Sequence, residues 1–384
     1  MKYQDIILEN KEWIDEVWEK LDNKLSRTSV KSRDKIPYST KDGVHDTCTE
    51  GIRITNWTNG FWGGLMWLMY AGTGKDCYKL TAERSEELMD VCFTDYVEEL
   101  HHDVGFMWHI LSGANYRLTG NKRSRNRNLL AAMTLMSRYN VEGNYIRSWN
   151  VPWDKIDNSG WTIIDCMMNI PQLYWASKEL GDNRFKKIAV RYADMAMRDH
   201  VRSDGSVNHI VIHDTEKADT VLGTLGGQGY GEGSSWSRGV SWALYGFTLS
   251  YIHTREDRYL QTAKKVAKHF IESAKKTDWL PLIDFKAPAQ PVLYDSTAGA
   301  IAACGLIEIA KNVAENEQEY YLSAALNILK AMEKHWCDWT ETEDSILQMG
   351  SERYECGHHK PIIYGDFFFT EAIMKLKGVE FLIW

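Results

Sequence analysis

Hydrophobic positions along the chain alternate between two kinds of helical segment. Six segments are apolar on nearly every side, whereas the segments that follow them, such as residues 259–273, carry one apolar stripe and one charged face. A helix that is apolar all round must be enclosed by other elements, and a striped helix lies outside them. The six apolar segments are residues 60–70, 103–116, 164–176, 240–251, 298–310 and 367–376.

Short polar turns separate the two members of each pair. Three of the turns carry a glycine where a helix ends with a positive φ: Gly74, Gly120 and Gly181. With an amphipathic helix in residues 1–21, the pattern predicts about twelve helices, six inner and six outer. Short connections that alternate with long ones favour an all-α (α/α)₆ barrel, a six-hairpin toroid, as a single domain over residues 1–384. Strand patterns are confined to short stretches such as residues 206–212.

The inner helices of such a toroid run parallel, so the segments that enter them meet at one end of the ring. These segments are rich in carboxylates, histidine, arginine and tryptophan: NWTNG (56–60), HHD (101–103), WTIID (161–165), SWSRG (235–239), YDS (294–296) and YGD (364–366). The helix N-termini add positive potential, which favours an anionic ligand at this end although the net charge is −8.

Composition narrows the choice of partners. The negative net charge argues against nucleic acid and against an anionic membrane, and no apolar run approaches the length of a membrane span. The 16 tryptophans suit a protein that stacks sugar rings, although a large helical core also accommodates them. The seven cysteines include no CxxC pair, and the N-terminal residues form an amphipathic pattern and not a signal peptide. We therefore expect reduced thiols and a cytoplasmic protein.

Asp165 differs from the other carboxylates at these entrances. Asp295 and Asp366 are interpreted first as helix N-caps, the commonest role of aspartate at a helix start. Asp165 instead has isoleucine, cysteine and methionine on both sides. A carboxyl group among apolar side chains has a raised pKa, which suits it to donate a proton near neutral pH. This environment predicts a functional role for Asp165.

Motifs for metals and nucleotides are missing from the sequence. His101 and His102 are adjacent and cannot readily present two ligands to one ion, and neither HExxH nor a Cys/His cluster occurs. The glycine-rich residues 223–233 follow no predicted strand and lack the Gly-Lys-Ser/Thr ending of a phosphate loop, so we interpret them as an active-site loop. We expect neither a metal nor an organic cofactor.

Six stretches, in order along the chain, resemble the unsaturated glucuronyl hydrolases of glycoside hydrolase family 88. They are residues 56–70 (NWTNGFWGGLMWLMY), 100–106 (LHHDVGF), 163–176 (IIDCMMNIPQLYWA), 227–247 (GQGYGEGSSWSRGVSWALYGF), 295–310 (DSTAGAIAACGLIEIA) and 363–372 (IYGDFFFTEA). The resemblance implies an (α/α)₆ barrel. It also implies a substrate: glycosaminoglycan-type oligosaccharides left by polysaccharide lyases, with a 4,5-unsaturated uronic acid at the non-reducing end.

The same resemblance implies residue roles. Asp165 would protonate C4 of the unsaturated ring and then assist the addition of water at C5, and Asp103 would be a supporting carboxylate. From the chemistry of its side chain, which binds carboxylates through two hydrogen bonds, we expect Arg238 to hold the uronate carboxylate together with the helix N-termini. The residues expected to line the sugar site are Trp57, His102, Trp149, His209, Gln228, Trp236, Arg238 and Trp242.

Residues 347–361 match nothing in the family. The subsite for the neighbouring sugar is therefore open, with Arg353, His358 and Lys360 as candidates. The sequence also leaves the linkage, the tolerance of sulfation and the oligomeric state open.

Three other functions remain as alternatives. An unsaturated rhamnogalacturonyl hydrolase, acting on pectin fragments, would share the barrel and the hydration chemistry. An α/α-barrel sugar epimerase would need paired bases about one carbon, a role that His101 and His102 fit poorly. A non-catalytic helical-repeat binding protein would explain the repeat but not the carboxylates and tryptophans at every entrance.

Overall fold

The computed structural model of the chain describes residues 2–150 and 156–384. Its α-helices are α1 Tyr3–Glu9, α2 Lys11–Lys31, α3 Gly60–Thr73, α4 Asp76–Leu88, α5 Val91–Asp95, α6 Ala114–Thr119, α7 Lys122–Ser137, α8 Pro171–Leu180, α9 Asn183–Asp199, α10 Ser237–Thr254, α11 Asp257–Ala274, α12 Ser296–Asn312, α13 Glu315–Trp336 and α14 Ile363–Leu376. A π-helix, Gly105–Gly113, runs directly into α6. None of the helices in this part of the chain is both long and apolar enough to cross a lipid bilayer.

Six inner helices pack side by side in a closed ring. The π-helix contacts α3 on one side and α8 on the other, α10 and α12 continue the ring, and α14 packs on both α12 and α3. An outer helix covers each inner one: α4 on α3, α7 on the π-helix, α9 on α8, α11 on α10, α13 on α12 and α2 on α14. The predicted (α/α)₆ barrel with six inner and six outer helices is confirmed.

Burial follows the sequence pattern. In α10 every residue from 237 to 250 is buried, and in α12 every residue from 296 to 310, whereas α11 buries only one stripe of its surface. The predicted turn glycines end α3, α6 and α8 with φ of 70°, 76° and 66°. The apolar inner helices therefore form one continuous core, and the striped helices wrap it.

Three predicted helices differ in detail from the observed ones. The N-terminal helix is divided into α1 and α2 by Asn10, and residue 1 lies outside the described residues. Residues 103–116 are largely π-helical, and residues 164–176 begin as a 3₁₀ turn, Ile164–Met168. Pro171 has no N–H to continue a preceding helical turn, so it begins α8 and does not lie inside it. As a consequence, Asp165 lies on an irregular turn at the end of the ring.

Short antiparallel strands accompany the helices: β1 Thr40–Lys41, β2 Val44–His45, β3 Tyr139–Asn140, β4 Tyr145–Ile146, β5 Trp161–Ile163, β6 Ile210–His213 and β7 Val221–Leu225. The last three form one sheet, in which Val211 pairs with Thr162 and with Thr224. The strand predicted in residues 206–212 corresponds to β6, which begins later in the chain, at Ile210, and ends at His213. The glycine-rich residues 223–233 begin inside β7, so the expectation that they follow no strand was wrong.

Residues 381–384 turn into the ring at the end opposite the inner-helix entrances. Trp384 is 2% exposed, stacks on Phe368 with 5.8 Å between ring centroids, and donates its indole N–H to Glu371 at 3.2 Å. Arg117, near the end of α6, donates to the carbonyl oxygens of residues 382 and 383. The side chain of Trp384 therefore fills this end of the barrel, and its hydrogen bond to Glu371 holds it there.

Replacing Trp384 by alanine is expected to lower the free energy of unfolding by about 3–5 kcal/mol, because it leaves a large cavity and an unpaired buried carboxyl oxygen. Chemical denaturation measures the change. Trp339→Ala is the control, since that ring is half-buried and lies under Lys20 near the surface. Equal stability losses in the two variants would contradict the filling role of Trp384.

Candidate active site

A cleft of about 630 Å³ opens where the segments that enter the inner helices converge. Seven of the predicted site residues line it: Trp57, His102, Asp103, Trp149, Asp165, His209 and Gln228. A second cavity of about 530 Å³ adjoins the cleft and shares Trp57, Gln228, Arg353 and Glu355 with it. The structure therefore brings residues from distant parts of the sequence to one end of the barrel.

A larger cavity, of about 790 Å³, lies between α1 and the C-terminal ends of α12 and α14. Several of its charged groups form ion pairs with one another: Lys2 lies 3.3 Å from Glu315, and Lys375 lies 2.6 Å from Glu308. None of the predicted site residues lines it. The candidate site is therefore the smaller cleft at the other end.

Asp165 follows β5 and lies on the 3₁₀ turn in the cleft wall. Its neighbours in the turn are buried in the core, whereas Asp165 stays partly exposed to the cleft. Among the described residues, its Oδ1 atom has no hydrogen-bond partner. Burial raises the pKa of Asp165 well above its usual value, and the charge of Asp103 raises it further, while Arg238 and Trp242 act in the opposite direction.

Asp103 precedes the π-helix, and three polar side chains contact its carboxylate. His102 Nε2 and His101 Nδ1 lie 3.3 and 3.4 Å from its Oδ2 atom, and Asn169 Nδ2 donates to Oδ1 at 3.0 Å. Burial by itself raises the pKa of this carboxyl, but the two histidines and the amide outweigh burial and lower the pKa below its usual value. Asp103 is therefore ionised over the pH range in which Asp165 keeps its proton.

The rings of His101 and His102 both contact the carboxylate of Asp103. One ring nitrogen of His101, one of His102 and one carboxylate oxygen of Asp103 lie within 4.8 Å of one another. The sequence analysis did not expect two adjacent histidines to approach one point in this way. Burial lowers the pKa of His101 to about 4, so its ring is neutral near neutral pH, and its Nδ1 atom lies 3.4 Å from the backbone nitrogen of Asp103, whose N–H it accepts. The arrangement is that of a carboxylate supported by two imidazoles, and the expectation of a metal-free site stays a prediction.

Asn169 is a central residue that the sequence analysis missed. The side chain is fully buried, and its Nδ2 atom donates to Asp103 Oδ1 and, at 3.2 Å, to the backbone oxygen of Asp165. Its Oδ1 atom accepts the backbone N–H of Phe106 at 2.9 Å. The signal in the sequence was a single amide side chain inside the apolar run of residues 166–171.

Aromatic rings form the walls of the cleft. Trp57 packs against Phe106 and Tyr364, with ring centroids 5.4 and 5.1 Å apart, and keeps part of its indole exposed. Trp149 meets Trp161 at 6.0 Å, and both line the cleft. Flat apolar faces of this kind pack well against the carbon–hydrogen faces of a sugar ring.

His209 and Gln228 connect the glycine-rich loop to the cleft. The Nδ1 atom of His209 accepts the backbone N–H of Gln228 at 3.0 Å, and burial lowers the pKa of this histidine to about 3. The side chain of Gln228 donates to the backbone oxygen of Glu352 at 3.2 Å, and its own backbone oxygen accepts the N–H of Tyr354 at 2.9 Å. The loop is thereby tied to the segment at residues 352–354.

Two predicted binding residues, Trp236 and Trp242, lie behind the cleft wall. Trp242 is fully buried and packs against Phe106 at 5.1 Å. Trp236 lies between His209 and Arg238, with centroid distances of 4.1 Å to the imidazole ring and 4.5 Å to the guanidinium carbon. Both indoles back the residues of the wall and are not among those that line the cleft.

Arg238 borders the second cavity but is almost completely buried. Its Nη1 atom donates to Asp295 Oδ2 at 2.5 Å and to the backbone oxygen of Ser351, and its Nη2 atom donates to the backbone oxygen of Glu352 at 2.7 Å. These three bonds use both N–H groups of Nη1 and one of Nη2, out of the five N–H donors of the guanidinium. The guanidinium is held in place beside the second cavity, and its predicted contact with the uronate carboxylate stays a prediction.

The two aspartates interpreted as helix caps have different roles. Asp295 caps α12 by accepting the N–H of Thr297 at 3.1 Å, as predicted. The N-cap interpretation of Asp366 was wrong: it lies inside the first turn of α14 and accepts the N–H groups of Ile346 and Leu347 at 3.0 and 2.7 Å. Burial raises the pKa of Asp366 to about 7 although these hydrogen bonds oppose the rise.

Among the candidates for the neighbouring-sugar subsite, Arg353 lines both cavities. Lys360 instead forms an ion pair with Glu352 at 2.9 Å, and His358 is exposed on the surface with Nδ1 2.8 Å from the backbone oxygen of Cys356. Of the three candidates, Arg353 is therefore the one that borders the cleft.

No protein-family model matches the chain. Relatives are nevertheless found over most of its length. The unsaturated glucuronyl hydrolase of Bacillus sp. (strain GL1) is 32% identical over 329 residues, which are 84% of this chain and 86% of that protein. The unsaturated chondroitin disaccharide hydrolase of Streptococcus pyogenes serotype M1 is 32% identical over 332 residues, 84% of this chain and 81% of the relative.

Solved structures show the same relationship. The crystal structure of unsaturated glucuronyl hydrolase from Bacillus sp. GL1, described as responsible for the degradation of glycosaminoglycan, has a TM-score of 0.87 at 30% identity, with 94% of this chain and 97% of that chain covered. A variant of the enzyme from Streptococcus agalactiae in complex with dGlcA-GalNAc6S has a TM-score of 0.80 at 25% identity, with 97% and 93% covered. The chain is therefore a glycoside hydrolase that belongs to the unsaturated glucuronyl hydrolases of family 88.

Proposed function

We propose that the protein removes a 4,5-unsaturated uronic acid from the non-reducing end of glycosaminoglycan-type oligosaccharides. The relatives named for glucuronyl and chondroitin disaccharide hydrolysis support this substrate class, and so does the related enzyme in complex with dGlcA-GalNAc6S. The observation that carries the proposal is the contrast between the two cleft carboxyls, one with a raised pKa and one with a lowered pKa.

The chemistry follows from the vinyl ether of the substrate. The C4=C5 double bond carries the ring oxygen on C5, so a proton added at C4 leaves an oxocarbenium-like cation at C5. Asp165 supplies this proton and, once ionised, accepts a proton from the water that adds to C5. The product is a hemiketal, which opens and releases the neighbouring sugar. Because the anomeric carbon is not attacked, the usual relation between carboxylate separation and stereochemistry does not apply.

Asp103 supports this cycle through its charge. An ionised carboxylate close to Asp165 favours the protonated form of Asp165 before the reaction and stabilises the positive charge that develops on the ring. His101 and His102 hold Asp103 in place through the contacts at 3.4 and 3.3 Å. This division of roles requires the two carboxyls to have different protonation states.

The cleft suits an anionic sugar. Trp57, Trp149 and Trp161 provide apolar faces for the ring. Arg238 contributes positive charge from behind the wall, and the N-terminal ends of the inner helices point to the same region. Arg353, which borders both cavities, is placed to meet the neighbouring sugar.

Two further assignments are part of the proposal. All seven cysteines are free thiols, which supports a reducing, cytoplasmic location. The continuous core that joins helices from α2 to α14 supports a single domain. The proposed reaction uses no metal or organic cofactor.

Asp165→Asn is expected to lower kcat by at least about 10³-fold, because the asparagine cannot donate the proton. Loss of the ultraviolet absorbance of the alkene in an unsaturated chondroitin disaccharide measures turnover, and an unsaturated pectin-derived disaccharide assayed in parallel tests the rhamnogalacturonyl alternative. Asp157→Asn is the control, because Asp157 precedes Asp165 closely in the sequence, is exposed, and does not line the cleft. Near-normal turnover by Asp165→Asn would remove the assignment.

The pH dependence of kcat/KM is expected to be bell-shaped. Activity falls at low pH as Asp103, whose pKa is lowered, becomes protonated, and it falls at high pH as Asp165, whose pKa is raised, loses its proton. In Asp103→Asn the neighbouring charge is gone, so the pKa of Asp165 falls and the high-pH limb moves to lower pH. A high-pH limb that stays in place in this variant would show that the two carboxyls are not coupled.

A further inference from the structure

Asn169 lies where the two segments that carry the cleft carboxyls meet. Asp103 precedes the π-helix, and Asp165 lies on the 3₁₀ turn before α8, so the two belong to different helical hairpins. The Nδ2 group of Asn169 donates to both segments, at 3.0 Å to Asp103 Oδ1 and at 3.2 Å to the backbone oxygen of Asp165. One fully buried amide therefore joins the segments.

We propose that Asn169 is a positioning residue, whose carboxamide clamps the Asp103 carboxylate and the Asp165 turn in one fixed arrangement at the cleft wall. The inference rests on the proposed function, because the clamp serves the two carboxyls that the reaction uses. Asn169 does not line the cleft, so it acts through Asp103 and Asp165 and does not contact the substrate.

The orientation of the amide is determined by the protein. The backbone N–H of Phe106 needs an acceptor and finds it in Asn169 Oδ1 at 2.9 Å, so the Nδ2 group must face Asp103. A carboxylate at this position would present an oxygen to Asp103 Oδ1 and repel it. Among side chains of this size, asparagine is the one that offers an acceptor on one side and a donor on the other.

The backbone is also built for this contact. A Cβ atom at Gly105 would lie 2.7 Å from both the Cα and the Oδ1 of Asn169. The close approach of the π-helix to Asn169 therefore requires glycine at position 105. This glycine permits an approach that serves the amide clamp and that a larger residue would prevent.

Asn169 is the neutral donor in a crowded electrostatic environment. The titratable groups that interact with Asp103 are His101, His102, Arg138, Asp165, Cys166 and Tyr192. The amide hydrogen bond lowers the pKa of Asp103 together with the two histidines. Removal of the amide is therefore expected to raise the pKa of Asp103 while every charged group stays in place.

Asn169→Ala tests the clamp. We expect kcat to fall by about 10- to 100-fold with KM changed by less than about threefold, because a hydrogen bond to a charged group is lost and no substrate contact is. The low-pH limb of kcat/KM should move to higher pH, because the amide that lowers the pKa of Asp103 is gone. Should this variant not fold, Asn169→Asp keeps the shape without the donor, and its kcat should fall at least as far.

Asn115→Ala is the matched control. Asn115 is a buried amide on α6 that donates to the buried carboxylate of Glu86 at 2.8 Å, at a distance from the cleft. This variant should lose stability but keep the kcat and the pH limbs of the wild type. If Asn169→Ala behaves like Asn115→Ala, with a lower melting temperature and an unchanged pH profile, the role of Asn169 is structural only and the proposal is overturned.

A measurement without substrate separates the clamp from the proposed function. Titration of the aspartate carboxyl carbons by ¹³C NMR should show a higher pKa for Asp103 in Asn169→Ala than in the wild type. An unchanged pKa overturns the clamp even if the wild type hydrolyses the disaccharides. A wild type that hydrolyses none of them, with the pKa shift present, refutes the proposed reaction and leaves the coupling between the residues standing.

Discussion

The unequal solvation of two neighbouring carboxyl groups is the interaction on which the site depends. Two imidazole rings and one amide group contact the carboxylate of Asp103. Asp165 is instead surrounded by apolar residues, and its Oδ1 atom has no hydrogen-bond partner among the described residues. In water both groups would ionise at similar pH. The protein separates their pKa values: burial dominates at Asp165, whereas the histidines and the amide outweigh burial at Asp103, so that a proton donor and a stabilising anion exist side by side.

The ring of helices provides the rigid surroundings that this separation needs. Its regular members, such as α10 and α12, are buried along nearly their whole length and carry no reacting group. The two carboxyls instead lie at the two inner segments that are not regular α-helices, next to the π-helix and on the 3₁₀ turn. Pro171 begins α8 after the 3₁₀ turn, and Gly105 permits the close approach of the π-helix to Asn169. Irregular backbone at this end is therefore part of the design of the cleft.

The features that were predictable from the sequence are those with local causes. All-round apolarity indicated the inner helices, turn glycines indicated their ends, and the apolar neighbours of Asp165 indicated its raised pKa. The features that were missed depend on contacts between residues far apart in the chain. Two examples are the pairing of Arg238 with Asp295 and the hydrogen bond from Asn169 to Asp103, each of which joins two hairpins. The residues around each side chain in the sequence do not indicate which hairpin supplies its partner. The same reason explains why Trp236 and Trp242 lie behind the cleft wall: spacing places them near the entrance but does not set their depth.

The seam between α3 and α14 has a consequence for how the molecule assembles. The two helices are very distant in sequence, and the segments that precede them are also joined: Ser39 donates to the carbonyl oxygen of Pro361 across 322 positions. Until the last inner helix docks on the first, the incomplete ring presents the apolar flanks of both to water. Contacts between residues so far apart in sequence slow folding and prolong the lifetime of aggregation-prone intermediates. Biosynthesis of this enzyme should therefore be sensitive to chaperone supply and to growth temperature.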